Sequence, residues 1–169
     1  MTLIGVTGTN GKTTTTFLIK EMLEGALKTR VGLIGTIQNM VGERVLPAHR
    51  TTPESYEVQQ LLREMADGGC THVVMEVSSH ALMQHRVEGL DFSVAAFTNL
   101  SQDTWTTTTP LRVPLRQGAH LHQCRRAVLN LDDEAGRWYR GRLACPMFTY
   151  SENKDQADLT AKGIRLYPG

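Results

Sequence analysis

Thr2-Leu3-Ile4-Gly5-Val6-Thr7-Gly8-Thr9-Asn10-Gly11-Lys12-Thr13-Thr14 carries the reading that decides the fold. An apolar run breaks into a glycine turn, and a Lys-Thr pair follows. Glycines let backbone N–H groups converge on an anion. A helix predicted over Lys12–Leu27 aims its positive end at the same point. This is the strand–loop–helix grip on a nucleotide's phosphates. Lys12 supplies a point charge for the outer phosphates, and the Thr13 hydroxyl suits Mg²⁺. The commoner loop has a glycine where Val6 stands, so the form here is the shorter G-x-x-G-K-T.

The remaining composition narrows the function classes. A chain of 169 residues suffices for one domain with a buried core. A net charge of +1 offers no electrostatic case for nucleic acid or a membrane surface as partner. No apolar run approaches the roughly 20 residues that span a bilayer. The N-terminus has no basic segment ahead of an apolar one, so no signal peptide is expected. Cys70, Cys124 and Cys145 are odd in number and irregularly spaced, which fits a reducing cytoplasm and buried thiols.

Short β-rich runs alternate with helical periods. Strands are predicted at Thr2–Thr7, Arg30–Ile34, His72–Val77, Val94–Thr98, Ala127–Leu131 and Pro146–Tyr150. Helices are predicted at Lys12–Leu27, Pro53–Asp67 and Asp133–Arg142. Val58, Leu61, Leu62 and Met65 recur at helical spacing, with Thr51 or Thr52 as cap and Pro53 in the first turn. Val73-Val74-Met75 lacks polar alternation, which suggests burial on both faces. The expected architecture is α/β, a P-loop NTPase-like, mostly parallel sheet flanked by helices. In such sheets the site lies beyond the carboxyl ends of the strands.

Polar residues gather at those ends. Glu76 closes one strand and is followed by Ser78, Ser79, His80, Gln84, His85 and Arg86. A carboxylate at a strand tip beside a phosphate loop is a natural Mg²⁺ ligand. His80 and His85 read equally as capping or packing residues, and Arg86 as a surface charge or an anion clamp. Asn130 could contact a base or ribose; equally, Asn130-Leu131-Asp132-Asp133 is helix-start chemistry.

These motifs resemble one family. Gly8–Thr14 (G-T-N-G-K-T-T), Thr51–Pro53 (T-T-P), Glu76–Leu82 (E-V-S-S-H-A-L), Gln84–Arg86 (Q-H-R), Phe97–Leu100 (F-T-N-L) and Asn130–Glu134 (N-L-D-D-E) are similar to the central domain of Mur ligases. The match is nearest to the UDP-N-acetylmuramoyl-tripeptide synthetase branch and covers nearly the whole chain. Arg50 departs from the Asn often found before T-T. The resemblance implies a cytoplasmic, ATP-dependent amide ligase of peptidoglycan precursor synthesis. A diamino acid would be joined to UDP-N-acetylmuramoyl-L-alanyl-D-glutamate through an acyl phosphate. It implies ATP at Gly8, Thr9, Asn10, Gly11, Lys12, Thr13, Thr14 and Asn130, and Mg²⁺ at Thr13 and Glu76. Lys12 and Glu76 become the candidate catalytic groups. The UDP-muramoyl dipeptide would meet Thr51, Thr52, Ser78, Gln84 and Arg86. Folylpolyglutamate and cyanophycin synthetases share the phosphate loop, but the E-V-S-S-H…Q-H-R string argues against them.

One stretch departs from the family. Where H-L-D-Y-H would follow Asp103, the chain has Thr104-Trp105-Thr106-Thr107-Thr108-Thr109-Pro110. Restoring a single C after the Asp103 codon gives His, then Leu given a Thr104 codon ending in C, then Asp, followed by codons that allow Tyr and His. Thr104 to about His122 is therefore expected to be frameshifted and irregular. The family's metal-ligating His and its carbamylated lysine would fall in this stretch. No lysine lies between Lys28 and Lys154. The family's uridine-nucleotide and amino-acid domains are expected to be absent, and the central domain cut short after Gly169. A nucleotide-binding remnant without turnover is the rival reading for the chain by itself.

Overall fold

The structure is a computed structural model that describes residues 1–100, 121, 124–153 and 155–165. The predicted frameshift, 104–122, lies outside these residues apart from Leu121.

The strands, in chain order, are β1 (Thr2–Thr7), β2 (Arg30–Ile34), β3 (Gln38–Val41), β4 (Arg44–Pro47), β5 (Cys70–Glu76), β6 (Val94–Phe97), β7 (Ala127–Asn130), β8 (Met147–Ser151) and β9 (Leu159–Thr160). The helices are α1 (Lys12–Leu27), α2 (Ser55–Asp67), α3 (Ser79–Met83) and α4 (Glu134–Arg140). They build one sheet of order β4-β3-β2-β5-β1-β6-β7-β8-β9. From β2 through to β9 all neighbours run parallel, as the buried, non-alternating runs implied. β3 and β4 add an antiparallel hairpin at one edge.

Successive side chains of a strand point to opposite faces, and here both faces are covered. On one side α1 lays Phe17, Ile19 and Leu23 over Ile4, Val6, Val31, Leu33 and Val74. On the other, Val58 and Met65 of α2 pack with Leu3, Ile34, Val73 and Met75. A further cluster joins Phe97, Leu129, Ala135 and Tyr139, with the Phe97 and Tyr139 rings 5.1 Å apart in an edge-to-face contact. Gly136 lets α4 seat there, since a Cβ at that position would sit 1.8 Å from the Asn130 carbonyl oxygen.

Three details differ from the sequence expectation. The β3–β4 hairpin over Gln38–Pro47 was not expected; Gly42 turns it at φ 60°. α2 begins at Ser55 rather than Pro53, and its N-cap is Glu54 rather than Thr51 or Thr52. The Thr52 hydroxyl is drawn elsewhere, as shown next. Ser78–Gln84 forms the short helix α3, capped by the Ser78 hydroxyl accepting from the Ala81 N–H at 3.2 Å.

Candidate functional site

Parallel pairing puts the carboxyl ends of β2, β5, β1, β6 and β7 along one edge of the sheet. β1 is flanked by β5 and β6, with Val6 in register with Glu76 and Thr7 with Phe97. The loop leaving β1 therefore has Glu76 on one side and Thr98-Asn99 on the other.

Gly8 at φ 134° and Gly11 at φ 82° turn that loop, and Gly11 is the N-cap of α1. Both values lie where residues with a Cβ are strained. At Gly8 space is also short: a Cβ would meet Thr98 Oγ1 at 2.1 Å and the Asn99 backbone at 2.8 Å. The β6 tip clamps the loop through backbone contacts. Thr9 N–H donates to the Asn99 carbonyl at 2.7 Å, and Asn10 N–H to Asn99 Oδ1 at 3.0 Å. Asn99 Nδ2 and Thr98 Oγ1 both donate to the Asn10 carbonyl, at 3.1 and 2.8 Å. The loop is held open in this conformation by its neighbours.

Lys12 bends back over the loop, its ammonium donating to the carbonyls of Gly8 at 2.9 Å and Thr9 at 3.1 Å. Partial burial holds its pKa below the ordinary lysine value, against the opposing pull of Glu76. Glu76 is fully buried. Thr13 Oγ1 donates to its Oε2 at 3.1 Å. Thr36, just past β2, donates its backbone N–H to Oε1 at 2.9 Å and its hydroxyl to Oε2 at 2.9 Å. Among the described residues, every hydrogen bond donor to this carboxylate is neutral. A buried carboxylate beside a hydroxyl, with no ion-paired partner, is an oxygen-only donor set that suits a hard cation such as Mg²⁺.

The glycine loop after β1 lies beside the buried acid at the tip of the adjacent β5, and comparison with known proteins gives the family. The Mur ligase middle domain matches residues 6–169. The chain belongs to the Mur ligase family. A UDP-N-acetylmuramoyl-L-alanyl-D-glutamate–2,6-diaminopimelate ligase of Geobacillus thermodenitrificans is 45% identical over 177 residues, covering 99% of this chain and 36% of that protein. A protein of the same name from Caldanaerobacter subterraneus is 43% identical, covering 98% of this chain and 34% of that one. The chain thus spans about a third of the length of these curated relatives. A solved structure of a UDP-N-acetylmuramoyl-L-alanyl-D-glutamate–2,6-diaminopimelate ligase superposes with a TM-score of 0.80 at 31% identity, over 94% of this chain and 33% of that one. A pseudomurein peptide ligase type C from Methanothermus fervidus shares the fold, with a TM-score of 0.60 at 20% identity.

Within this Mur ligase domain, two of the residues singled out from sequence, Thr13 and Thr52, bond to Glu76 directly, and Thr51, Ser78 and Arg86 reach it through one intervening residue. Thr52 is buried, and its hydroxyl donates to the Glu76 carbonyl at 2.7 Å while accepting the Ser78 N–H at 3.0 Å. Arg86 Nη1 donates to the Thr52 carbonyl at 2.9 Å, and Nη2 pairs with Glu54 at 2.9 Å. Its Nε is buried and has no hydrogen-bond partner among the described residues. Thr51 Oγ1 lies 3.0 Å from Thr36 Oγ1. Gln84 is exposed as the C-cap of α3. Thr14 is exposed on the first turn of α1. His80 is exposed, and His85 contacts Glu88 at 2.9 Å on the surface.

Asn130 stands apart. Its Nδ2 donates to the Thr98 carbonyl at 2.9 Å, and its Oδ1 accepts the Asp132 N–H at 2.9 Å. Nδ2 ties β7 to the end of β6, and Oδ1 closes a turn onto Asp132 just ahead of the helix cap Asp133. Asp133 caps α4 through Ala135 N–H at 2.8 Å and holds Leu100 N–H at 2.9 Å. Sequence reading missed Thr36, Glu54, Thr98 and Asn99 as parts of the constellation. Thr98 and Asn99 sit inside F-T-N-L and their strand-end position pointed to them. Thr36 follows Gly35 at the end of β2, the same signal in a plainer setting. No described helix is long and apolar enough to cross a membrane.

Proposed function

We propose that this domain binds ATP with Mg²⁺ for a peptidoglycan precursor ligase that joins a diamino acid to UDP-N-acetylmuramoyl-L-alanyl-D-glutamate. Its best support is the 3.1 Å contact between the Thr13 hydroxyl and the buried Glu76 carboxylate, at the mouth of the glycine loop. The N–H groups of Gly11–Thr14 cradle the phosphates, while Asn99 holds those of Thr9 and Asn10, and Lys12 leaves the Gly8 and Thr9 carbonyls to meet the outer ones. Thr13 and Glu76 hold Mg²⁺, which supplies neutralisation of charge on the transferring phosphoryl group. Thr51, Thr52, Ser78, Gln84 and Arg86 serve the muramoyl dipeptide. Arg86 is partly neutralised by Glu54 already, so an incoming anion competes for it.

For the chain by itself we read nucleotide binding without turnover. The reason is the Thr104–Pro110 run and the absence of any lysine between Lys28 and Lys154. Family transfer chemistry draws on a His and a lysine from that stretch, and losing a charge-neutralising group costs several kcal/mol in the transition state. An ATP titration with Mg²⁺, run beside a phosphate-release assay, tests both statements. Binding that Lys12→Ala weakens about tenfold or more supports the site. Equal affinity in Lys12→Ala removes the phosphate-loop reading, and robust phosphate release by this chain removes the second.

A further inference from the structure

We infer that Thr36 is a positioning residue: it fixes the Glu76 carboxylate toward Thr13 and links it to Thr51. The inference rests on the reading of Thr13 and Glu76 as the Mg²⁺-holding pair. Neither the motifs nor the family strings singled this threonine out.

The geometry separates Thr36 from the other neighbours of Glu76. A glutamate has three side-chain torsions, and one hydrogen bond leaves its carboxylate free to swing. Thr36 grips both oxygens at once, N–H on Oε1 and hydroxyl on Oε2, each at 2.9 Å. That sets the plane of the carboxylate. Thr13 adds a single, longer bond at 3.1 Å through its proton, and its hydroxyl oxygen keeps lone pairs with which to meet a cation. The Thr36 grip persists alongside. A carboxylate offers about four lone-pair positions. Thr36 occupies two, which leaves the Thr13-facing position and one other for a metal.

The backbone is shaped for this contact. A Cβ at residue 35 would lie 2.7 Å from Glu76 Oε1, so only Gly35 lets the chain pass this close. The Thr36 hydroxyl stands between two acceptors, Glu76 Oε2 at 2.9 Å and Thr51 Oγ1 at 3.0 Å. It has one proton to give, so Thr51 competes with the carboxylate for it. A candidate substrate contact is thereby one hydroxyl removed from the candidate metal ligand. Through this competition, what Thr51 bonds to alters how strongly Thr36 holds Glu76.

The test measures ATP affinity in excess Mg²⁺ and again in EDTA, on the full chain. The ratio of the two isolates what the cation contributes. Thr36→Val removes the hydroxyl and keeps the shape. It is expected to lower the Mg²⁺-dependent gain roughly tenfold while leaving affinity in EDTA unchanged. Thr36→Ser keeps the hydroxyl and is expected to match the parent, which a purely packing role for the methyl group would not produce. Melting midpoints accompany each variant, and Thr36→Ala replaces Thr36→Val if the latter does not fold. A Thr36→Val or Thr36→Ala protein with the parent's Mg²⁺-dependent gain overturns the inference alone. So does a Thr36→Ser protein as impaired as Thr36→Val. A parent chain with no Mg²⁺-dependent gain overturns the Thr13–Glu76 reading itself, and is told apart because the defect precedes any substitution.

Discussion

The two halves of the sheet end in equally polar residues and use them in opposite ways. At the tips of β1, β2 and β5, side chains turn toward one buried carboxylate: Thr13 and Thr36 bond to Glu76 directly, while Thr52 and Ser78 organise its backbone. At the tips of β6 and β7, side chains turn toward the main chain. Thr98, Asn99, Asn130 and Asp133 bond to backbone groups of the phosphate loop, the strands and α4. The first half assembles a buried carboxylate that forms no ion pair among the described residues. The second is a scaffold that keeps the loop in place, because buried backbone groups left unpaired would cost about 1–3 kcal/mol each. Polarity at a strand tip marks the edge where a site can lie; the bonding partners decide which tips belong to it.

The same substitution made in each half sharpens the contrast. Gly136→Ala drives a methyl against the Asn130 carbonyl, 1.8 Å away in the present backbone. Neither α4 nor β7 can yield cheaply, so a stability loss of about 3 kcal/mol is expected in denaturant unfolding. Gly35→Ala meets instead the far end of a side chain, Glu76 Oε1 at 2.7 Å. The carboxylate swings aside, the fold survives, and the Mg²⁺-dependent part of ATP affinity falls about tenfold. If the two alanines gave the same pattern of stability and affinity, the division into site and scaffold would break.

Next in size come the amides and acids. Glu76→Gln keeps the shape but removes the charge, so ATP is expected to bind with little response to Mg²⁺, read by titration. Asn130→Ala removes two bonds to backbone at 2.9 Å each, and about 1–2 kcal/mol of stability should go with them. ATP affinity is expected to stay within twofold. A large affinity loss with unchanged stability would return Asn130 to the nucleotide site.

How legible this was in the sequence follows the same division. The glycine loop, its helix and the strand-tip position of Glu76 could be read because the signal is local: glycine, lysine and threonine at fixed offsets after an apolar run. The parallel core was legible from unbroken apolar strands. The β3–β4 hairpin was not, because Gln38-Asn39-Met40-Val41 places polar residues among the apolar ones and lacks the Asn-Gly signal of a two-residue turn. Thr36 was hidden for a different reason. Its role exists only because β2 pairs beside β5, and register between strands forty residues apart leaves no trace in either segment. Asn130 shows the converse. Its position favoured a ligand contact and a helix start alike; both its bonds run to main chain, and the Asn130→Ala titration tests the ligand contact.

The smallest expected effect also belongs to the scaffold half, and it is a titration. Cys124 and Cys145 approach ahead of β7 and β8, their sulfurs 3.7 Å apart. Burial, and then the neighbouring thiol, push the Cys124 pKa up to about 12. An unfolded cysteine titrates near 8.5. Above that value the unfolded chain sheds a proton that the folded chain keeps, so stability falls as pH rises from about 8.5 toward 12. The partly buried Lys12 has the opposite sign: its lowered pKa means the folded chain releases a proton first. The two contributions overlap in an alkaline scan of the parent. Cys124→Ala separates them, because it removes only the scaffold's titration. The difference in denaturant midpoint between the parent and Cys124→Ala should therefore shift against the parent between pH 7.5 and pH 10. A difference that stays flat with pH would mean that the thiol ionises alike in both states. The apolar cluster beneath β6 and β7 would then be more open to water than its packing shows.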